Sequence, residues 1–191
     1  MRATTLILSL FVVLVGVGIS CSAPREQSSV SNGDFYPRDS RRRRPQSSGG
    51  TNILQGTVIS VLDGDTIDVL DDAKTTYRIR LKGIDAPENG QAFGNASREN
   101  LATLVARKNV TVEWQKLDRY RRIVGKVMLN GDDICLEQIR SGLAWHFKRF
   151  ANEQSEADQT LYARAELEAQ ATKMGLWIEP SPIAPWNYRD R

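Results

Sequence analysis

Residues 54–62 and 66–70 read as two strands around a turn at Asp63 and Gly64, and residues 71–74 turn the chain into a third run at 75–82. So many strands and turns in so short a span commit this part of the chain to a sheet. Side chains alternate across a strand, so Ile79 and Leu81 point one way while Arg78, Arg80 and Lys82 point the other. Arg80 therefore faces solvent or a substrate. Asp65 stands at the start of the second strand, and Asp85 and Glu88 follow the third, so the same turns gather acids beside an arginine.

Downstream, residues 95–108 carry Leu101, Leu104 and Val105 at helical spacing, and 110–115 and 122–129 return to a strand pattern rich in β-branched residues. Asn130 and Gly131 mark a tight turn. Ile134, Cys135, Ile139 and Leu143 form a helical stripe, and a last helix over about 155–174 includes Leu161, Ala165 and Ala169 before Gly175 stops it. The expected class is α+β: five short strands and three helices, a small closed sheet with helices at its ends, compatible with an OB-type barrel.

The 191 residues fit one domain plus appendages. Residues 1–23 have Arg2, an apolar run over 6–19 and small residues after it, the layout of a signal peptide; Cys21 alternatively reads as the lipid-carrying cysteine of a lipoprotein signal. Either route exports the protein, as a secreted, periplasmic or membrane-anchored species. With cleavage after Ala23 only Cys135 remains, which excludes an intramolecular disulfide and marks Cys135 as a small core residue. The formal charge of +3 is unevenly spread: residues 24–50 hold six arginines against three acids, whereas 51–191 hold 19 Lys or Arg against 20 Asp or Glu. The first stretch, with its Ser, Pro and Gly, reads as a disordered basic linker. Residues 51–179 are the expected folded domain and 180–191 a Pro- and Trp-containing tail.

Asp65, Asp85 and Glu88 are oxygen donors of the kind that calcium or magnesium prefers. The fork of Arg80 matches two phosphate oxygens, which favours a phosphate ester over a carbonyl substrate. Taken singly, the two acidic fragments are ordinary turn and strand-end sequences. Taken together as Asp63-Gly64-Asp65-Thr66, then Arg80, then Asp85-Ala86-Pro87-Glu88, they resemble the staphylococcal nuclease (thermonuclease) family, whose signature runs D-G-D-T, a strand, Arg, then D-x-P-E. A second family segment, D-[KR]-Y-G-R, corresponds to Asp118-Arg119-Tyr120-Arg121-Arg122, with Arg121 in place of the glycine. The resemblance spans roughly residues 54–178, includes Gly175-Leu176-Trp177, and extends to a tail like that of bacterial members.

The resemblance implies an OB-type barrel and calcium held by Asp65, Asp85 and the backbone carbonyl of Ala86, with magnesium the less favoured ion. It implies that Glu88 orients or deprotonates the attacking water, that Arg80 and Arg122 grip the phosphate, and that Arg119 and Tyr120 line its end of the site. It further implies cleavage of both DNA and RNA with little base selectivity, leaving a 3′-phosphate and a 5′-hydroxyl; a monomer is the expected state. Asp63 reads either as an acid behind a metal-bound water or as a turn residue. Phe147 and Phe150 read either as faces for stacked bases or as core. His146 is the only histidine, which excludes a paired-histidine ribonuclease mechanism within one chain and leaves a structural role for it. Two other readings compete: an OB-type module that binds single strands without cutting them, and a surface protein whose acids hold structural calcium.

Overall fold

The computed structural model describes residues 50–191. The expected signal segment with Cys21, and the basic linker up to residue 49, lie outside the described residues. Among the described residues no helix is long and apolar enough to cross a membrane.

Strand β1 (Asn52–Val61) is the pivot of the sheet. Its first half pairs with β5 (Asn109–Leu117) and its second half with β2 (Thr66–Leu70), both antiparallel. A register irregularity between Val58 and Ser60 bends it where it passes from one partner to the other. β3 (Thr76–Leu81) follows β2 with Thr66 opposite Arg80, and β6 (Ile123–Leu129) follows β5. Parallel pairing of β3 with β6, Ile79 opposite Ile123, closes the five strands into a barrel. Asn130 and Gly131, at φ 53° and 95°, make the two-residue turn expected there and lead into β7 (Asp132–Asp133).

Val58, Ile67, Val69, Ile79, Leu81, Val110, Val112, Ile123 and Val127 are buried in the core. Helix α1 (Gly94–Val105) adds Leu101 and Val105; α2 (Ile134–Arg140) adds Ile134, Cys135 and Ile139. Cys135 is a buried free thiol, as expected. The chain then makes β8 (Trp145–His146), which pairs antiparallel with β4 (Ile84–Asp85) in a second small sheet that the sequence pattern did not reveal.

Three helices arrive as expected, with trimmed ends. α1 stops at Val105, and Arg107 takes φ 62°, so residues 106–108 form a turn. α2 ends at Arg140, and Gly142 at φ 65° turns the chain before Leu143, which lies outside the helix. Helix α3 (Glu156–Ala171) is capped by Ser155, whose hydroxyl accepts from the amide of Asp158 at 3.1 Å. Its inner face is Tyr162, Ala165, Glu166 and Ala169, while Leu161, expected on that face, is exposed. Lys173, at φ 54°, takes the left-handed turn after α3, and Gly175 opens a 3₁₀ turn (Gly175–Ile178) instead of ending the helix. The tail is not a simple appendage: it forms a fourth helix, α4 (Pro185–Arg189), with Ala184 and Pro185 buried.

Candidate active site

The turn between β1 and β2 is built from its own side chains. Asp63 accepts the amide of Asp65 at 2.9 Å through Oδ1, so the turn reading of Asp63 accounts for its position. Gly64 packs against α1 and the residue that follows β4 so closely that a Cβ there would lie 1.8 Å from Ser97 Oγ and 2.7 Å from the Ala86 methyl. No other residue fits without displacing the helix. Gln138 of α2, fully buried, donates through Nε2 to the Gly64 carbonyl at 2.7 Å and to the Ser97 carbonyl at 3.1 Å. Its Oε1 accepts from Asn100 Nδ2 at 2.5 Å. This glutamine braces the turn, and nothing in the local motif signals it.

Asp65 emerges from that turn with its carboxylate inward. Oδ2 accepts the Ala86 amide at 2.7 Å and Arg80 Nη2 at 2.9 Å, and Oδ1 accepts the Thr66 hydroxyl at 3.1 Å. Burial pushes its carboxyl up to about 7, against the lowering pull of Arg80 and the Ala86 amide, and the charges of Asp63 and Asp85 add to the rise. Asp85, 1% exposed, is fixed by β4 opposite Trp145 and accepts Arg80 Nη2 through Oδ1 at 2.7 Å. Arg80 is tucked in, its side chain 15% exposed, with Nη1 bonded to the carbonyls of Leu81 at 3.1 Å and Ile84 at 2.9 Å. Its outward strand position thus leads to the acids: one guanidinium ties Asp65 to Asp85.

Glu88 is the most open of the three acids, and its backbone amide is held by Gln91 Oε1 at 3.0 Å. It joins the cluster through a residue the sequence did not single out. Arg189, from α4, donates Nη2 to Asp85 Oδ2 at 2.8 Å and Nη1 to Asp85 Oδ1 at 3.3 Å, and Nη1 also meets Glu88 Oε1. Its hydrogen bonds to Asp85, and then to Glu88, outweigh partial burial and hold the proton of this guanidinium more tightly than usual. Only the identity of a basic residue in the tail could have hinted at it.

Arg122 lies on a separate loop. Its Nε donates to Asp118 Oδ2 at 2.7 Å, and Asp118 Oδ1 accepts the amides of Tyr120 and Arg122, each at 2.9 Å. Burial opposes ionisation of Asp118, but the hydrogen bonds and charge of Arg122 hold its carboxyl below the ordinary range. Arg121 sits in this turn at φ 64°, the conformation a glycine would take without strain. The guanidinium of Arg119 lies 4.8 Å from the centre of the exposed Tyr120 ring and that of Arg122 5.5 Å, a cationic and aromatic surface. In this conformation Arg122 is partnered with Asp118, whereas Asp65, Arg80, Asp85 and Glu88 converge.

Phe147 and Phe150 contact each other with ring centres 5.2 Å apart, and Phe147 stacks on Trp186 at 5.5 Å and 19°. Neither is buried core. His146 is buried with Nε2 2.9 Å from Gln154 Oε1, a structural position as expected.

The donor chemistry fits a hard divalent ion: buried carboxylate oxygens of Asp65 and Asp85, the more open Glu88, and the backbone of Ala86 beside them. Positive charge already sits against these oxygens as guanidinium. Among the described residues, no three acidic, His or Cys side chains are grouped as a ready cation cage, because arginines stand between the acids.

Comparison with known proteins bears on this geometry. The family model described as "Staphylococcal nuclease homologue" matches residues 78–179. An uncharacterized endonuclease of Escherichia coli is 42% identical over 139 residues, covering 72% of this chain and 86% of that protein. A protein named micrococcal nuclease in Shigella flexneri is 38% identical over 145 residues, covering 71% of this chain and 80% of the relative. Protein ParB of Escherichia coli is likewise 38% identical over 145 residues, with 71% and 79% covered.

Proposed function

Because the chain belongs to the staphylococcal nuclease family, we propose that it is a calcium-dependent endonuclease that hydrolyses DNA and RNA to 3′-phosphate and 5′-hydroxyl ends. The observation that carries this reading is the convergence of Asp65, Arg80 and Asp85 around one guanidinium nitrogen, with Glu88 drawn into the same group through Arg189.

A phosphodiester resists hydrolysis because its negative charge repels the nucleophile, so the site must neutralise phosphate, align water and stabilise added charge in the transition state. Asp65, Asp85 and the carbonyl of Ala86 are the residues that would hold calcium, which supplies positive charge for the phosphate. Glu88, the most open of the acids, is placed to accept a proton from water as its oxygen attacks phosphorus. The bond to the 5′-oxygen then breaks, that oxygen takes a proton from solvent water to become the 5′-hydroxyl, and the phosphate stays on the 3′ side. Arg80, held by two backbone carbonyls and the acids, supplies permanent positive charge toward the equatorial oxygens. Arg122, turning from Asp118, adds a fork.

Arg119 and Tyr120 form an exposed face suited to the backbone and bases flanking the scissile bond. Contacts of this kind read phosphate and ring faces rather than base edges, which accords with low sequence selectivity. Export, by signal cleavage or with a lipid on Cys21, is the route the N-terminal sequence supports.

The test is incubation of the protein with single-stranded DNA and RNA in calcium, in magnesium or in chelator, followed by analysis of product ends. Calcium-dependent cleavage to 3′-phosphates is the expected result. Calcium-dependent binding with intact substrate would replace the enzyme by a binding module.

A further inference from the structure

The tail is packed onto the domain by more than one kind of contact. Gln91 Nε2 donates to the Ile183 carbonyl at 2.6 Å, and the same glutamine holds the Glu88 amide. Trp186 stacks on Phe147 and meets Trp145 edge-on, with ring centres 5.6 Å apart. Trp145 is the β8 residue paired with Asp85, so the aromatic anchor and the acid share one small sheet. One turn of α4 beyond that anchor, Arg189 reaches both oxygens of Asp85 and one of Glu88.

Both oxygens of Asp85 thereby face guanidinium: Arg80 on Oδ1 and Arg189 across both. A divalent ion taken up by Asp85 is set against guanidinium charge at both oxygens, and the donor held least firmly gives way. Arg80 is fixed by two backbone carbonyls and by Asp65, whereas Arg189 is 42% exposed and sits on a five-residue helix. Arg189 is the donor that yields.

We infer that Arg189 is an internal counter-cation that occupies the acids of the metal site, so that the C-terminal tail and the divalent ion compete for Asp85 and Glu88. The inference rests on the calcium reading above and adds a regulatory element to it. Binding and release are linked: an arginine that weakens metal binding must itself be loosened by metal to the same degree. In calcium-poor surroundings the acids are satisfied by the chain's own charge. As calcium arrives, α4 is released from its contact with Asp85, and a guanidinium is freed beside the place where phosphate binds.

The test is calcium titration by isothermal calorimetry on the full chain without nucleic acid, so that no turnover enters the readout. A partly exposed charge-assisted pair is worth roughly a tenfold change in affinity, so Arg189→Gln is expected to bind calcium about ten times more tightly than wild type. Trp186→Ala, which leaves Arg189 in the chain but removes its anchor, is expected to tighten binding in the same direction. Hydrogen–deuterium exchange supplies the reciprocal readout: calcium should raise exchange of residues 183–191 in wild type. Equal or weaker calcium affinity in Arg189→Gln, or tail exchange unmoved by saturating calcium, overturns the inference while leaving the nuclease reading intact. Absence of calcium binding in wild type and variants alike overturns the calcium reading and this inference with it.

Discussion

Gln138→Leu should destabilise the domain well beyond the loss of one polar side chain. Gln138 is fully buried, and the three shortest hydrogen bonds of its amide run to the Gly64 and Ser97 carbonyls and from Asn100. Each is worth about 1 kcal/mol net, and a buried carbonyl left unpaired costs about 1–3 kcal/mol more. Leucine recovers part of this through apolar contact, so a loss of about 3 kcal/mol is expected, a drop of roughly 9 °C in Tm for a domain of this size. Urea unfolding at pH 7 followed by circular dichroism measures it. Gln138→Met, which refills the space more fully but offers no donor, should retain most of the loss and so separates hydrogen bonding from cavity formation. A loss below about 1 kcal/mol in both variants would refute the bracing of the Gly64 turn, because water or a shifted backbone would then serve equally well.

Arg121→Gly should stabilise the domain by about 1 kcal/mol in the same unfolding assay, since it removes a side chain from a left-handed conformation, and cleavage should be similar or faster. A large loss of cleavage would instead make Arg121 a substrate contact. Asp118→Asn should lower Tm at neutral pH: the folded carboxyl titrates below its ordinary value of 3.8, so its stabilisation is present above that pH and is lost as pH falls through the lower folded value. Thermal melts of wild type and variant should therefore converge in strong acid, and a constant gap down to pH 2 would contradict the assignment.

The barrel was legible because its strands alternate and its turns carry Asp, Gly and Asn: residues 63–64, 71–74 and 130–131 each changed direction as read. Closure was not, since the pairing of Ile79 with Ile123 is parallel and joins segments far apart in sequence. Helix ends were misplaced where left-handed residues other than glycine, Arg107 and Lys173, made the turns. Leu161 was assigned to the inner face because it is apolar, but Tyr162 and Glu166 take that face, their polar ends satisfied by Asp133, by Lys148 and by the His146 amide. At the site, Asp65, Arg80, Asp85 and Glu88 were visible as a motif because they lie within one hairpin and its exit. Gln138 and Arg189 were not, because they reach the same turn and the same acids from α2 and α4 and belong to no local pattern.

The most direct test of the site is Glu88→Gln in saturating calcium, with single-turnover cleavage and DNA affinity measured on the same preparation. Removal of the proton acceptor should slow cleavage about 10²- to 10⁴-fold while the dissociation constant for DNA stays within about threefold. Cleavage at the wild-type rate would contradict the placement of the reaction at Glu88.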